Sequence, residues 1–294
     1  MFRYLRVKRR AEKLVVDPTR SAVEWLSQDE CLPATLRQIN SLPEGAKRRI
    51  YHALLPPGLP AFFDIDPVTW KGRGNFELVL RDDAQCCTVN ISIQTRDDPA
   101  EELFCLQLSD NRLNRIDLDF IVISDPRSPR FGTDRDERGQ FTCFGKAGRN
   151  LQEEQRAMSA GLAPGQVRAG LSFSRSILQH VEAFVASCGH SAYFLEPLTY
   201  SSAWLFEKRG FAYVQGHKLM DDIHLLFQPE NTLFKALDGS TAFRNPAQWS
   251  SVRGRAWAIH DGILESIDRK WDKLRMIKRV GCDAGVQTFP EAAY

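Results

Sequence analysis

The chain has 294 residues, of which 43% are hydrophobic, and it carries 39 Lys and Arg against 37 Asp and Glu. A chain of this length and apolar content can bury one large core or two modest ones, so the composition excludes a disordered protein. The formal net charge of +2 is too balanced for a protein whose main partner is nucleic acid, and no nucleic-acid motif occurs.

Cysteine usage and the apolar runs bear on the compartment. The seven cysteines include no Cys-x-x-Cys pair, and the beginning of the chain lacks an apolar signal segment. Both features predict free thiols in a reducing cytoplasm. No window approaches the roughly 18 consecutive apolar residues of a membrane-spanning helix, so we expect no transmembrane segment.

Residues 1–70 are predicted to form a helical lead. Arg and Lys alternate with apolar residues over positions 1–13, a pattern that suits either a basic arm for an anionic surface or a solvated terminal segment. Short helices follow, and Ser41 is a reasonable N-cap. The Pro-Pro-Gly-Leu-Pro run at 56–60 is typical of a stiff connector.

The pattern then changes to strands. Apolar and polar residues alternate in four segments that short Asp-rich turns separate, which predicts an antiparallel meander. The four segments are residues 76–80, 87–93, 103–108 and 116–123. Asp117 and Asp119 fall on one face of the last strand, where they can also simply face solvent.

Residues 125–164 are turn-rich and end in a predicted helix near 150–160. Asp134 and Asp136 match part of a calcium loop, but Arg138 and Gly145 stand where further oxygen ligands are needed, so no metal site is expected.

Motif and periodicity agree best over residues 165–211. A Gly-containing turn precedes an amphipathic helix over 171–188 that ends at Gly189. A buried strand over 191–196 follows, and then a helix over 201–208 that exposes Glu207. Gly210 stands where a helix needs a left-handed residue to turn out, and a strand over 211–214 comes next.

The run Leu-Phe-Glu-Lys-Arg-Gly-Phe at 205–211 resembles the late half of the GNAT acyltransferases, which bind acyl-CoA. The resemblance implies an α/β (α+β) fold with a mixed, mainly antiparallel sheet flanked by helices. It implies a GNAT-like domain over 71–228, in which 125–164 is an insertion placed to cover an acyl or acceptor group. A strand over 223–227 would complete the sheet, and 229–294 would be a C-terminal extension packed on the core.

The resemblance also implies where acetyl-CoA or another acyl-CoA binds. The pyrophosphate would lie on backbone amides at the start of the first helix, because free amides and the helix dipole favour anions. The corresponding positions are Gln166, Arg168, Gly170, Leu171 and Ser172, where Ser172 replaces a glycine.

Catalytic roles follow from the same resemblance. Glu196, at the end of the buried strand, or Asp119 would accept the proton of the amine, directly or through water. The family's frequent tyrosine acid is Phe206 here, so Tyr213 or Tyr200 would protonate the leaving thiolate.

The C-terminal segment adds charged residues without a motif. Arg244, Arg253 and Arg255 could bind a carboxylate or phosphate, or make surface ion pairs. His260 and Asp261 are neighbours, but adjacent helical residues do not face each other, so we expect no dyad between them and a structural His260.

These features predict transfer of an acyl group from a CoA-type thioester to a small-molecule amine or amino-acid acceptor. Two alternatives stay open. One is a catalytically silent GNAT-shaped binding or assembly subunit with a protein partner, and the other is an enzyme that uses a different thioester or an aminoacyl donor.

Overall fold

The structure is a computed structural model that describes residues 32–83, 85, 87–142 and 148–292. The predicted basic arm at 1–13 lies outside the described residues. The described chain is a mixed α/β protein in which helices flank one seven-stranded, mostly antiparallel sheet.

The strands of this sheet come from both halves of the chain. In chain order they are β1 (Phe76–Asp83), β2 (Thr88–Thr95), β3 (Glu102–Asp110), β4 (Ile116–Ile123), β5 (Ala192–Leu195), β6 (Ala212–Gln215) and β7 (Arg275–Arg279).

The α-helices of the described residues lie before, between and after the strands. They are α1 (Leu36–Asn40), α2 (Glu44–His52), α3 (Gly58–Phe62), α4 (Leu151–Ser159), α5 (Ser174–Ser187), α6 (Tyr200–Glu207), α7 (His217–Leu226), α8 (Thr232–Lys235) and α9 (Val252–His260). Short 3-10 helices lie at Ala242–Arg244, Pro246–Gln248 and Ile263–Ile267.

The spatial order of the strands is β1-β2-β3-β4-β5-β7-β6. Strands β1 to β4 pair antiparallel in sequence order, which confirms the predicted meander. Strands β4 and β5 are parallel, and the remaining neighbours are antiparallel. The one parallel pair therefore lies in the middle of the sheet, where the meander meets the later strands.

The prediction of a strand over 223–227 is wrong, because these residues belong to the end of α7 and the turn after it. Met220, Ile223 and Phe227 are buried at three- and four-residue spacing, which suits a helix, and a short apolar run does not separate helix from strand. The strand that joins β5 to β6 is β7, from the segment expected to lie outside the sheet.

The amphipathic helix predicted over 171–188 is confirmed, with a later start at Ser174. Its start moves because the Leu171 N–H donates to the Ile123 carbonyl at 3.3 Å, which ties this segment to the end of β4. Ile177, Val181 and Phe184 are fully buried. They pack with the inner faces of β1 to β4 and with α1 and α2 in one core, and α6, α7 and α9 form a second.

The turn after α6 follows the prediction at Gly210, whose φ is 78°. The Phe211 N–H donates to the Phe206 carbonyl at 3.1 Å, as in a Schellman motif. Glu207, however, is only 2% exposed, whereas we expected it to face water. It is buried because it accepts hydrogen bonds from the hydroxyls of Tyr213 and Thr288, both at 2.7 Å.

Ser41 ends α1 and is not an N-cap, because the next helix begins after Pro43.

Candidate active site

The centre of the sheet is open between β4 and β5. These strands pair at only two positions, Asp117 with Phe194 and Leu118 with Leu195. Strand β4 continues to Ile123, whereas β5 ends at Leu195, before Pro197, a residue that cannot donate to a strand ladder. Within the described part of the chain, the second half of β4 therefore has no strand beside it on the β5 side.

The far end of this opening is closed by the segment before α5. Gly170 forms a bridge with Ser124, and the Leu171 N–H donates to the Ile123 carbonyl. Residues 119–122 of β4 are thus left without a backbone partner on this side among the residues that the structure describes. Backbone groups two residues apart point to the same side of a strand, so the N–H and C=O of Ile121 face the opening, as the C=O of Ile123 does. An extended chain of amides could pair with them.

A cavity of about 240 Å³ occupies the opening, which we call the slot. Its walls are the edge of β4, the end of β5, the first turns of α6 and the loop before Arg168. The lining residues are Leu118, Asp119, Phe120, Ile121, Val122, Ala163, Pro164, Gly165, Gln166, Leu195, Glu196, Pro197, Leu198, Thr199, Ser201, Ser202, Leu205 and Phe206.

Asp119 is the acid at the edge of the slot. The β3 pairing steps from Leu118 to Phe120, so Asp119 is a bulge residue, and bulges re-aim side chains. Its carboxylate accepts hydrogen bonds from Ser109 Oγ at 2.9 Å and Gln107 Nε2 at 3.4 Å. The side chain is open to solvent on one side, but the surrounding protein atoms raise its pKa, and the negative charges of nearby carboxylates add to this. A carboxylate with a raised pKa is a better base.

Glu196 also lines the slot, but a cation holds it. Arg275 Nη1 lies 2.9 Å from Glu196 Oε1, and Arg275 Nη2 lies 2.7 Å from Asp117 Oδ2. The structure thus brings both predicted bases to one place. Asp119 is the one without an ion pair among the described residues.

The predicted tyrosine acids lie elsewhere. Tyr213 donates its hydroxyl to Glu207 and stacks on His217, and burial raises its pKa. Tyr200 is 1% exposed in the second core, where burial raises its pKa to about 12. Neither lines the slot, whose hydroxyls belong to Thr199, Ser201 and Ser202.

These hydroxyls were not singled out from the sequence. Thr199 and Ser202 form the capping box of α6, in which Ser202 stands where the usual sequence pattern has Glu or Gln.

The predicted cofactor residues separate in space. Gln166 lines the slot, with its side-chain oxygen accepting the Ala163 N–H at 2.8 Å. Arg168 turns away to the β3 side of β4, where it binds the Glu101 carboxylate at 2.8 and 3.2 Å. At the far end of the slot, Gly170 forms a bridge with Ser124 and the Leu171 N–H is bonded to Ile123 of β4. Ser172 is exposed just before α5.

Two arginines that the sequence did not single out lie near this end. Arg175 is the second residue of α5, a helix without a side-chain N-cap. Burial lowers the pKa of Arg209, and the charge of Arg175 lowers it further, so the two cations are close together. Arg209 Nε is buried without a hydrogen-bond partner, and neither arginine has an ion pair in the described part of the chain. Two adjacent unpaired cations favour a bound anion.

The C-terminal arginines are engaged within the protein. Arg244 Nε lies 3.0 Å from Asp261 Oδ2. Arg255 is fully buried, and its guanidinium lies 3.5 Å from the centre of the Phe289 ring. Arg253 lies against Gly161. His260 does not pair with Asp261, as expected, but with Glu154.

Comparisons with protein families, with curated proteins and with solved structures find no match for this chain. Among the described residues, no group of three or more His, Cys, Asp or Glu side chains could hold a metal ion. The same residues include no helix that is both long and apolar enough to cross a membrane.

Proposed function

We propose that this protein is a GNAT-like acyltransferase that moves an acyl group from a CoA-type thioester to an amine. The observation that carries the proposal is the slot between β4 and β5, with Asp119 at its edge. A slot filled by the protein's own side chains would have removed the enzyme hypothesis, and a cavity of about 240 Å³ lies there instead.

The slot suits the amide-containing arm of CoA. The unpaired edge at 119–122 offers the N–H and C=O of Ile121 to an extended chain, as an added strand would use them. The apolar lining, which includes Val122, Leu195 and Leu205, suits the methylene groups between the amides.

The anionic end of the donor would lie at the start of α5. This helix has no side-chain cap, so its first N–H groups are available to an anion. Arg175 and Arg209 supply positive charge close by. In this assignment they replace Arg168, whose guanidinium is bound to Glu101.

The reaction forms one C–N bond and breaks one C–S bond. The neutral amine attacks the thioester carbonyl carbon, and Asp119 accepts the proton that the nitrogen loses, directly or through water. The thiolate that leaves takes up this proton, so the products are the amide and the free thiol. The raised pKa of Asp119 suits both the acceptance and the return of the proton.

Thermal unfolding with and without acyl-CoA tests the proposal. A ligand at about 100 times its Kd stabilises a protein by about 2.7 kcal/mol, so acetyl-CoA or a longer acyl-CoA should raise the Tm in a concentration-dependent way. Free adenine at the same concentration is the control and should not. If no acyl-CoA shifts the Tm, the enzyme proposal fails and the assembly subunit is favoured.

A further inference from the structure

A second cavity, of about 330 Å³, adjoins the slot, and we call it the chamber. Gly165, Leu198 and Thr199 line both spaces, so groups bound in the two would be neighbours. The other walls come from the 125–164 segment and from α9. They are Thr133, Asp134, Phe141, Glu154, Trp257 and His260.

The chamber contains a histidine whose tautomer is set by a buried acid. His260 Nε2 lies 3.2 Å from Glu154 Oε1, and Glu154 is 2% exposed. Burial raises the pKa of Glu154, but hydrogen bonds from His260 and Arg149 outweigh this effect and bring the pKa below its usual value. Glu154 is therefore a carboxylate that only accepts hydrogen bonds, so His260 must donate through Nε2.

The other ring nitrogen of His260, Nδ1, then carries a lone pair that can accept a hydrogen bond or a proton. Nδ1 has no hydrogen-bond partner among the residues that the structure describes, and the side chain is 22% exposed. A histidine with one nitrogen held by a carboxylate and the other open to a cavity has the arrangement of a general base.

Two carboxylates line the chamber, and each has an arginine partner behind it. Its described lining includes the carboxylates of Asp134 and Glu154 but no Lys or Arg. Asp134 Oδ2 accepts from Arg130 Nη2 at 2.7 Å, whereas Asp134 Oδ1 has no hydrogen-bond partner in the described chain. Arg149 lies behind Glu154, held between it and Asp261.

Apart from Thr133 and Thr199, the rest of the lining is apolar. Trp257 lies in the chamber wall, but its side chain is only 1% exposed and its N–H is already bonded to the Leu162 carbonyl. Phe141 and Leu198 are 55% and 52% exposed, so both offer apolar surface to a ligand. An amine with an aromatic or branched apolar body fits this combination.

We propose that the chamber is the acceptor site for an apolar primary amine, and that His260 Nδ1 removes the proton of its ammonium form. This inference rests on the proposed acyl transfer. The ammonium proton moves to Nδ1 and later to solvent, which leaves the neutral amine whose nitrogen attacks the thioester in the slot. Glu154 is a positioning residue that holds the His260 ring.

Direct binding of 2-phenylethylamine to the full chain tests the site without any acyl donor. We expect the amine to bind by calorimetry and 2-phenylethanol, its neutral analogue, to bind at least tenfold more weakly. Asp134→Asn should weaken amine binding about tenfold, because it removes a carboxylate of the chamber wall of which Arg130 bonds only one oxygen. Glu137→Gln, which makes the same charge change at an exposed position of the same loop, should not.

The outcomes separate this inference from the proposed function. If acetyl-CoA stabilises the protein but the amine and the alcohol bind equally or not at all, the chamber inference is overturned and acyl transfer stands. If the amine binds through Asp134 but no acyl-CoA does, the site stands and the transferase fails. If both the amine and acyl-CoA bind, the variant His260→Gln should lower kcat/KM for the amine by about 10²-fold or more. The rise in Tm that acyl-CoA causes should stay the same. Unchanged kcat/KM would remove the base role of His260.

Discussion

Arg275 Nη2 lies 2.7 Å from Asp117 Oδ2, so an arginine of β7 compensates an acid of β4 across the intervening strand β5. The second acid of β4, Asp119, receives its hydrogen bonds from the neutral side chains of Gln107 and Ser109 and has no cationic partner in the described chain. This difference assigns the two acids different roles. Asp117 joins the strands, and Asp119 is left available for its proposed role as the proton acceptor of the slot.

Asp119→Asn should lower kcat by about 10²- to 10⁴-fold, the usual contribution of a general base. The KM for acyl-CoA should change little, because the substitution keeps the shape of the side chain. Glu196→Gln is the matched control: it removes a slot carboxylate that is already ion-paired with Arg275, and we expect most of the activity to remain. Steady-state kinetics of the two variants decide which acid is the base. A larger loss of kcat in Glu196→Gln than in Asp119→Asn would identify Glu196 as the base.

The raised pKa of Asp119 predicts a pH dependence of stability. Because the folded-state pKa lies above the unfolded value of about 3.9, the folded state binds the proton more tightly. The stabilising contribution of Asp119 is present below the unfolded pKa and is lost as the pH rises through the folded pKa. Relative to Asp119→Asn, the wild-type protein should therefore lose stability across this window, as denaturant unfolding at several pH values would show. A difference in unfolding free energy between the wild-type protein and Asp119→Asn that does not change with pH would contradict the raised pKa of Asp119.

Arg168→Ala should lower the stability of the protein and leave its affinity for the acyl donor unchanged. The substitution leaves Glu101, whose side chain is 11% exposed, with Arg130 as its remaining cation, and we expect a loss of about 1–3 kcal/mol. Chemical denaturation measures the loss, and calorimetry with acetyl-CoA should give an unchanged Kd. A tenfold weaker Kd would restore Arg168 to the cofactor site that the sequence predicted.

Arg209→Ala should weaken acyl-CoA binding about tenfold, because the arginine has no carboxylate partner in the described chain and adjoins Arg175. The loss should shrink as salt is added, since salt screens the charges. Lys208→Ala is the control, because Lys208 contacts Gln287 and the Trp204 ring and should not face the donor. Equal losses of acyl-CoA affinity in the two variants would indicate that the overall positive charge, and not a specific site at Arg209, attracts the donor.

The elements that the sequence predicted well are those with local signals. The meander followed from alternation along each strand, and the end of α6 followed from Gly210, whose left-handed φ of 78° suits a residue without Cβ. The site depends on contacts that no local pattern encodes. Glu196 meets Arg275 across 79 positions, and Glu154 meets His260 across 106.

The wrong position predicted for the last strand also results from contacts between residues that are distant in the sequence. Residues 275–279 alternate poorly and join the sheet only because β5 and β6 each leave an edge for them. The apolar run at 223–227 matched a strand locally but buries its residues as a helix. Long-range pairing, which a single sequence does not reveal, decided between them.

The central claim is that the open edge of β4 holds a thioester arm, and amide NMR of the full chain with acetyl-CoA tests it most directly. We expect titration to shift the amide of Ile121 together with the first amides of α5. The amide of Lys71, which precedes β1 at the edge of the sheet three strands from β4, should not respond. Shifts confined to other surfaces, or an unperturbed Ile121 at saturating acetyl-CoA, would contradict the central claim.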